Sequence, residues 1–311
     1  MKDVDLDAPD APQIVGGTAW SFADPSAAGR FDTLFVDEAG QVSVANLVGM
    51  ARAARNLVLL GDQMQLGQPI QGSHPGESGQ SALEYLLRDE HTIPASLGIF
   101  LGTTWRLHPD LCRFISGAVY DDKLHAESSA ASRIVRRGAG VAGLVGKEAG
   151  IVFVPVAHEG NGQASEEEVE VIAGIVRELC GRELTGTTGD RAKRASALDE
   201  GDLLIVAPYN MQVRALRAAL PNVRVGSVDK FQGQEAPVVI VSMCASAGDG
   251  SPRGIEFLFS PNRLNVALSR AQSLAIVVGC PGLAGTRVRS VSQMKLVNLF
   301  CRVVEEGGLV E

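Results

Sequence analysis

The sequence predicts an α/β protein built on parallel sheets, and three observations carry that expectation. Apolar runs of strand length alternate with amphipathic stretches of helical period along most of the chain. The runs are near-continuous, the pattern of strands covered on both faces. Polar clusters fall where the runs end, and ligands of open parallel sheets bind at the carboxyl ends of strands. The units group into two parallel-sheet lobes, a first over residues 1–102 that is truncated at its N-terminus and a second over 103–311.

Residues 1–30 are acidic and then rich in Gly, Ala and Pro, with one strand-like piece at Gln13–Thr18. A strand is expected at 33–37, a helix at 43–54, a strand at 57–61, a helix at 80–88 and a strand at 98–102. Pro109 in a first turn, with Asp110 beside it, opens a helix whose stripe is Leu111, Phe114, Ile115 and Ala118. Segments 126–149 and 181–201 read as surface loops. Strand 151–154 precedes a helix opened by the capping box Ser165-x-x-Glu168. Strand 203–206, helix 210–219, strands 223–227 and 238–243, helix 261–271, strand 274–279 and helix 291–304 complete the second lobe.

Composition narrows the class. With 311 residues, 45% hydrophobic and 21% charged, the chain can bury a sizeable core. No apolar stretch approaches the length needed to span a bilayer, so no membrane and a cytoplasmic location are expected. Five scattered cysteines lack metal or disulfide spacing. The net charge of −8 argues against a surface coated for nucleic acid, although a basic groove confined to one channel is compatible with it.

The chemistry concentrates in a few clusters. Leu34-Phe35-Val36 ends in Asp37-Glu38, where one carboxylate can hold a hydrated magnesium ion and its neighbour can polarise an attacking water. An acidic pair alone would more often be a loop start; Gln41 and the following Gly61-Asp62-x-x-Gln65-Leu66 shift the balance to function. The Gln65 amide can bond both a terminal phosphate and a water. Trp105 could stack on a base and Arg106 fork onto phosphate, or the pair could be a core tryptophan beside a surface arginine. In Ser227–Glu235, Gly233 permits close backbone approach while Gln232 and Glu235 offer hydrogen bonds. Arg263 and Arg270, seven residues apart, are expected on one edge of a helix, facing a cleft or snorkelling from an ordinary amphipathic face. No Gly-x-x-x-x-Gly-Lys-Ser/Thr phosphate loop occurs in the 311 residues.

Six motifs in order resemble superfamily 1 helicases of the nonsense-mediated-decay and replication helicase-nuclease branch. They are Val36-Asp37-Glu38-Ala39-Gly40-Gln41, Gly61-Asp62-Gln63-Met64-Gln65-Leu66, Thr104-Trp105-Arg106-Leu107-His108-Pro109, Ala207-Pro208-Tyr209-Asn210-x-Gln212, Val228-Asp229-x-Phe231-Gln232-Gly233-x-Glu235 and Asn265–Ala271. The resemblance implies two RecA-like lobes, ATP and magnesium as cofactors, and single-stranded nucleic acid as partner, with DNA favoured over RNA. It implies that Asp37 binds magnesium, Glu38 is the general base, Gln65 contacts the γ-phosphate, and Arg106 and Arg270 are arginine fingers. Trp105 would stack on adenine, Gln232, Gly233, Glu235 and Arg263 would serve the nucleotide, and Thr18, Tyr209 and Ser227 would lie on the nucleic-acid path. The wording around the second and fifth motifs is similar to bacterial proteins with a RecB-like nuclease, which points to an upstream Walker A segment and such a nuclease as partners. Without that phosphate loop the lone chain is expected not to turn over ATP appreciably. The competing expectation is a non-catalytic nucleic-acid-binding scaffold with a degenerate motor fold.

Overall fold

A computed structural model of the chain describes residue 8 and residues 12–67, 72–88, 90–138, 143–186, 195–248 and 253–308. It divides into two compact units, Met1–Gly98 and Ile99–Glu311.

The first unit carries α1 (Ala19–Ala23), β1 (Phe31–Val36), α2 (Val44–Ala51), β2 (Ala54–Leu59) and α3 (Ala82–Leu87). Ser43 and Ser81 start α2 and α3 by accepting hydrogen bonds from the Asn46 and Glu84 amides. β1 and β2 pair in parallel, from Phe31 opposite Ala54 to Val36 opposite Leu59. Alternation along β1 sends Leu34 and Val36 into a core with Phe22, Met50, Leu83 and Leu87. Its other face is bare: Phe35 is 65% exposed and Leu57 41%. The expectation of strands covered on both faces therefore fails here, because among the described residues only one layer of helices packs against the pair. Gln13–Thr18 forms no strand either. Thr18 instead occupies the cap position of α1.

A bare apolar sheet face is sticky. The isolated chain is expected to self-associate with rising concentration, and Phe35→Glu to suppress this, as light scattering would register. A sample that stays monomeric before the substitution contradicts the expectation.

The second unit is a five-stranded, all-parallel sheet in the order β5 (Gly150–Pro155), β11 (Ala271–Gly279), β10 (Ala236–Ser242), β8 (Leu203–Val206), β9 (Arg224–Gly226). Its remaining elements are β3 (Thr103–Thr104), α4 (Pro109–Val119), β4 (His125–Ala126), α5 (Glu166–Leu179), β6 (Glu183–Leu184), β7 (Ser196–Ala197), α6 (Asn210–Ala219), α7 (Ile255–Leu258), α8 (Pro261–Leu268) and α9 (Val291–Gly307). β11 is buried along its whole length, as a strand covered on both faces requires. Ile172, Ile175 and Leu179 of α5 and Val213 and Leu216 of α6 join one core with Ile205, Ile240 and Ile276. Phe153 of β5 meets Phe300 of α9 edge to face at 5.8 Å.

Several expectations need correcting. The run 98–102 forms no strand, leaving Ile99 84% and Leu101 81% exposed; the Gly102 carbonyl accepts from the His125 amide (2.8 Å), and the ladder begins at Thr103, opposite His125. The 126–149 segment is not a plain loop: it holds a 3-10 turn at Ser128–Ser132, and Val135 bridges to Leu184. In 181–201, β6 and β7 pair antiparallel, while 187–194 lie outside the described residues. The capping box is half formed. Ser165 accepts from the Glu168 amide, but the Glu168 carboxylate turns inward to His158 (3.0 Å), Ser242 (2.6 Å) and the Cys244 amide (3.0 Å). Gln212 completes that buried network by donating to Ser242 and accepting from the Ser165 amide. No helix among the described residues is long and apolar enough to cross a membrane.

Candidate functional site

In the first unit the chemistry is set at the ends of β1 and β2. Beyond Val36 the backbone turns sharply, and Glu38 sits in the left-handed region at φ 51° and ψ 42°. Such a conformation costs a non-glycine residue about 1–3 kcal/mol and is concentrated at functional sites. The Glu38 amide donates to Asp37 Oδ1 (2.9 Å), and Gln41 Nε2 donates to Glu38 Oε2 (3.2 Å). Both carboxylates are exposed.

The Asp62–Gln65 loop lies directly against this turn. The Ala39 amide donates to the Leu60 carbonyl at 2.8 Å, and within the second loop Gln65 Nε2 donates to Asp62 Oδ2 at 3.2 Å. Glycines make the approach possible. A Cβ on Gly40 would stand 2.6 Å from the Asp62 carbonyl oxygen, and one on Gly61, at φ +156°, 2.8 Å from the Ala39 nitrogen. Gly40→Ala should therefore push the two loops apart at a cost of about 1–3 kcal/mol. A melting temperature equal to the parent's would show that the loops do not need this contact.

Among the described residues no group of three or more His, Cys, Asp or Glu side chains could hold a bare metal ion. A single exposed carboxylate fits a different task, holding a hydrated magnesium whose other ligands are waters and phosphate oxygens.

In the second unit, motifs far apart in sequence converge. β3 ends at Thr104, and Trp105 follows it, 69% exposed. The Arg106 Nε donates to Glu235 Oε2 across 129 residues of chain, and its Nη1 donates to the Ser269 carbonyl at 3.3 Å. Gln272 Nε2 donates to the other Glu235 oxygen at 2.8 Å. Burial alone would raise the Glu235 carboxyl, but the hydrogen bond and charge of Arg106, with Gln272 and Arg133 adding to them, hold it below the usual carboxylate range. Gln232 and Gly233 are exposed on the same loop, with Gly233 at φ +76°.

Arg263 and Arg270 are separated rather than paired. α8 stops at Leu268 because Ala271 already belongs to β11, so Arg270 lies beyond the helix and is only 5% exposed. Its carbonyl accepts from the Ala236 amide at 3.0 Å, which ties it to the residue after Glu235. Arg263 remains on α8, where Nη1 donates to Asp229 at 3.0 Å and the guanidinium lies over Phe257. The expectation of two arginines on one helix edge does not hold.

The residues expected on the nucleic-acid path also divide. Thr18 is exposed and Ser227 half-buried, whereas Tyr209 is 5% exposed with its ring 5.4 Å from Phe257. Tyr209 is thus packed inside the unit rather than standing exposed, which its place before a helix in a polar motif did not announce. His108 is also buried, caps α4 with Nδ1 as acceptor, and burial pushes it below its ordinary value, so it is neutral when it caps.

A family model described as an AAA domain matches residues 79–282. The DNA replication ATP-dependent helicase/nuclease JHS1 of Arabidopsis thaliana is 26% identical over 97% of this chain and 22% of its own length. The DNA-binding protein SMUBP-2 of Rattus norvegicus is 29% identical over 80% of this chain and 25% of its own. The chain thus spans about a quarter of the length of these relatives. A crystal structure of the arterivirus nonstructural protein 10 helicase aligns over 78% of the chain and 38% of its own, at 16% identity with a TM-score of 0.38.

Proposed function

We propose that this chain, which belongs to the AAA domain family, is the C-terminal motor portion of an ATP-dependent superfamily 1 helicase acting on single-stranded nucleic acid, DNA in preference to RNA. Asp37 holds magnesium through water and Glu38 takes the proton of the attacking water. Gln65 senses the terminal phosphate. Arg106, with Arg270, neutralises charge developing on the transferred group, and Trp105 stacks on the adenine. Gln232, Gly233, Glu235 and Arg263 shape the nucleotide side of the second unit, and Thr18 and Ser227 serve the strand. Magnesium supplies charge neutralisation on the phosphates when bound.

The observation that supports this reading best is the convergence of Arg106 and Glu235, from motifs 129 residues apart, on one hydrogen-bonded cluster beside Ser269 and Arg270. A scaffold has no need of a left-handed glutamate in one unit and a forked arginine in the other. The 311 residues contain no phosphate loop, so the active form is the polypeptide in which a Gly-x-x-x-x-Gly-Lys-Ser/Thr segment accompanies them, in the RecB-like bacterial arrangement together with a nuclease. The lone chain turns over ATP negligibly. The test compares ATP hydrolysis by the active form and the lone chain, with and without single-stranded DNA. Stimulated hydrolysis by the first alone supports the proposal, and equal inactivity of both refutes it.

A further inference from the structure

We infer that Arg133 is a positioning residue that sets the spacing between the Trp105 indole and the Arg106 guanidinium. This rests on the nucleotide-binding reading above. β3 ends at Thr104, so the carbonyls of Trp105 and Arg106 fall past its ladder with β4. Arg133, only 7% exposed, sends one nitrogen, Nη1, to both oxygens at 2.5 Å each. A buried cation is costly unless its donors are engaged, and here it is engaged by the main chain of the two residues that the proposed chemistry uses.

The brace is itself anchored. The Arg133 amide donates to the Ala130 carbonyl, the Thr185 amide to the Ile134 carbonyl, and Val135 bridges to Leu184 in the core. Glu127 starts the preceding turn and its amide donates to the Thr104 carbonyl. The turn that presents Trp105 and Arg106 is therefore gripped from both β4 and Arg133. The charge of Arg133 also adds, as the smallest of several influences, to those that hold the Glu235 carboxyl below the usual carboxylate range. A lysine, a point charge on a flexible stem, would hold the two carbonyls less firmly than a planar guanidinium.

The test uses the active form with Trp20→Phe and with every tryptophan outside the 311 residues replaced by phenylalanine, so that Trp105, one of two tryptophans in the chain, alone emits. Mg-ATP and magnesium tripolyphosphate are titrated separately. In the parent, ATP quenches Trp105 and binds more tightly than tripolyphosphate, which has no base to stack. Arg133→Met should weaken ATP about ten-fold, the loss of a stacking contact, and leave tripolyphosphate unchanged. Arg133→Lys should fall between, and it decides the matter if Arg133→Met fails to fold. Equal weakening of both ligands, or undiminished ATP binding, overturns the positioning role. A parent whose Trp105 ignores ATP removes the nucleotide reading itself, and the role of Arg133 with it.

Discussion

Glu38→Gln should lower ATP turnover by the active form roughly a thousandfold, within the 10²–10⁴ range of a positioned general base, while ATP binding is spared. The glutamine keeps size and hydrogen-bonding capacity but cannot take a proton. Because Glu38 is exposed and its backbone is held left-handed by the turn after β1, the substitution leaves packing alone. Its carboxylate already accepts from Gln41, so the amide can replace that contact by rotating. Single-turnover hydrolysis with an ATP-binding measurement alongside separates the two effects. Turnover at the parent rate would remove Glu38 from the chemistry.

Arg106→Lys should cost about 10³-fold or more in turnover, the scale of an arginine finger. A lysine preserves charge but not the fork that reaches Glu235 with Nε and the Ser269 carbonyl with Nη1. The loss should fall on kcat more than on KM, since the guanidinium is needed most when charge develops. Stability should change little, because the Arg106–Glu235 pair is partly exposed on both sides and such pairs contribute about 0–1 kcal/mol. An unfolded variant, or one with normal turnover, would show that Arg106 serves packing or nothing.

The sequence was most readable where polar punctuation stands at both ends of an element. β8 at Leu203–Val206 and α6 at Asn210–Ala219 form where they are expected, bounded by Asp202 and by the Pro208-Tyr209-Asn210 turn. The buried sheet of the second unit follows from its unbroken apolar runs. The first unit misled, because the apolar Leu34-Phe35-Val36 reads like part of a doubly covered strand although Phe35 faces solvent between two buried neighbours. Apolar side chains at 98–102 misled in the same way, since periodicity does not say whether a neighbouring strand exists.

Of the candidate site, residue identities were legible and their support was not. Asp37, Glu38, Gln65, Trp105 and Arg106 stand out by type and order. The left-handed backbone at Glu38 carries no compositional mark, because such turns announce themselves only when glycine or asparagine occupies them. Arg133 reads as one of three arginines in the 126–149 loop, and Gln272 falls in the connection between the helix expected at 261–271 and the strand expected at 274–279. Their partners lie 27–28 and 37 residues away, which only the folded chain reveals. Glu168 reads as a cap, yet it is a buried anchor for His158, Ser242 and Cys244. Arg270 is expected on a helix, and that helix ends two residues before it.

Steady-state ATP hydrolysis by the active form, titrated with single-stranded DNA, bears most directly on whether this chain is part of a motor. The expected result is DNA-stimulated turnover that Glu38→Gln and Arg106→Lys each abolish without loss of DNA binding. A form that holds single-stranded DNA equally well but hydrolyses no ATP, with neither substitution having any effect, would mark the chain as a scaffold and contradict the motor.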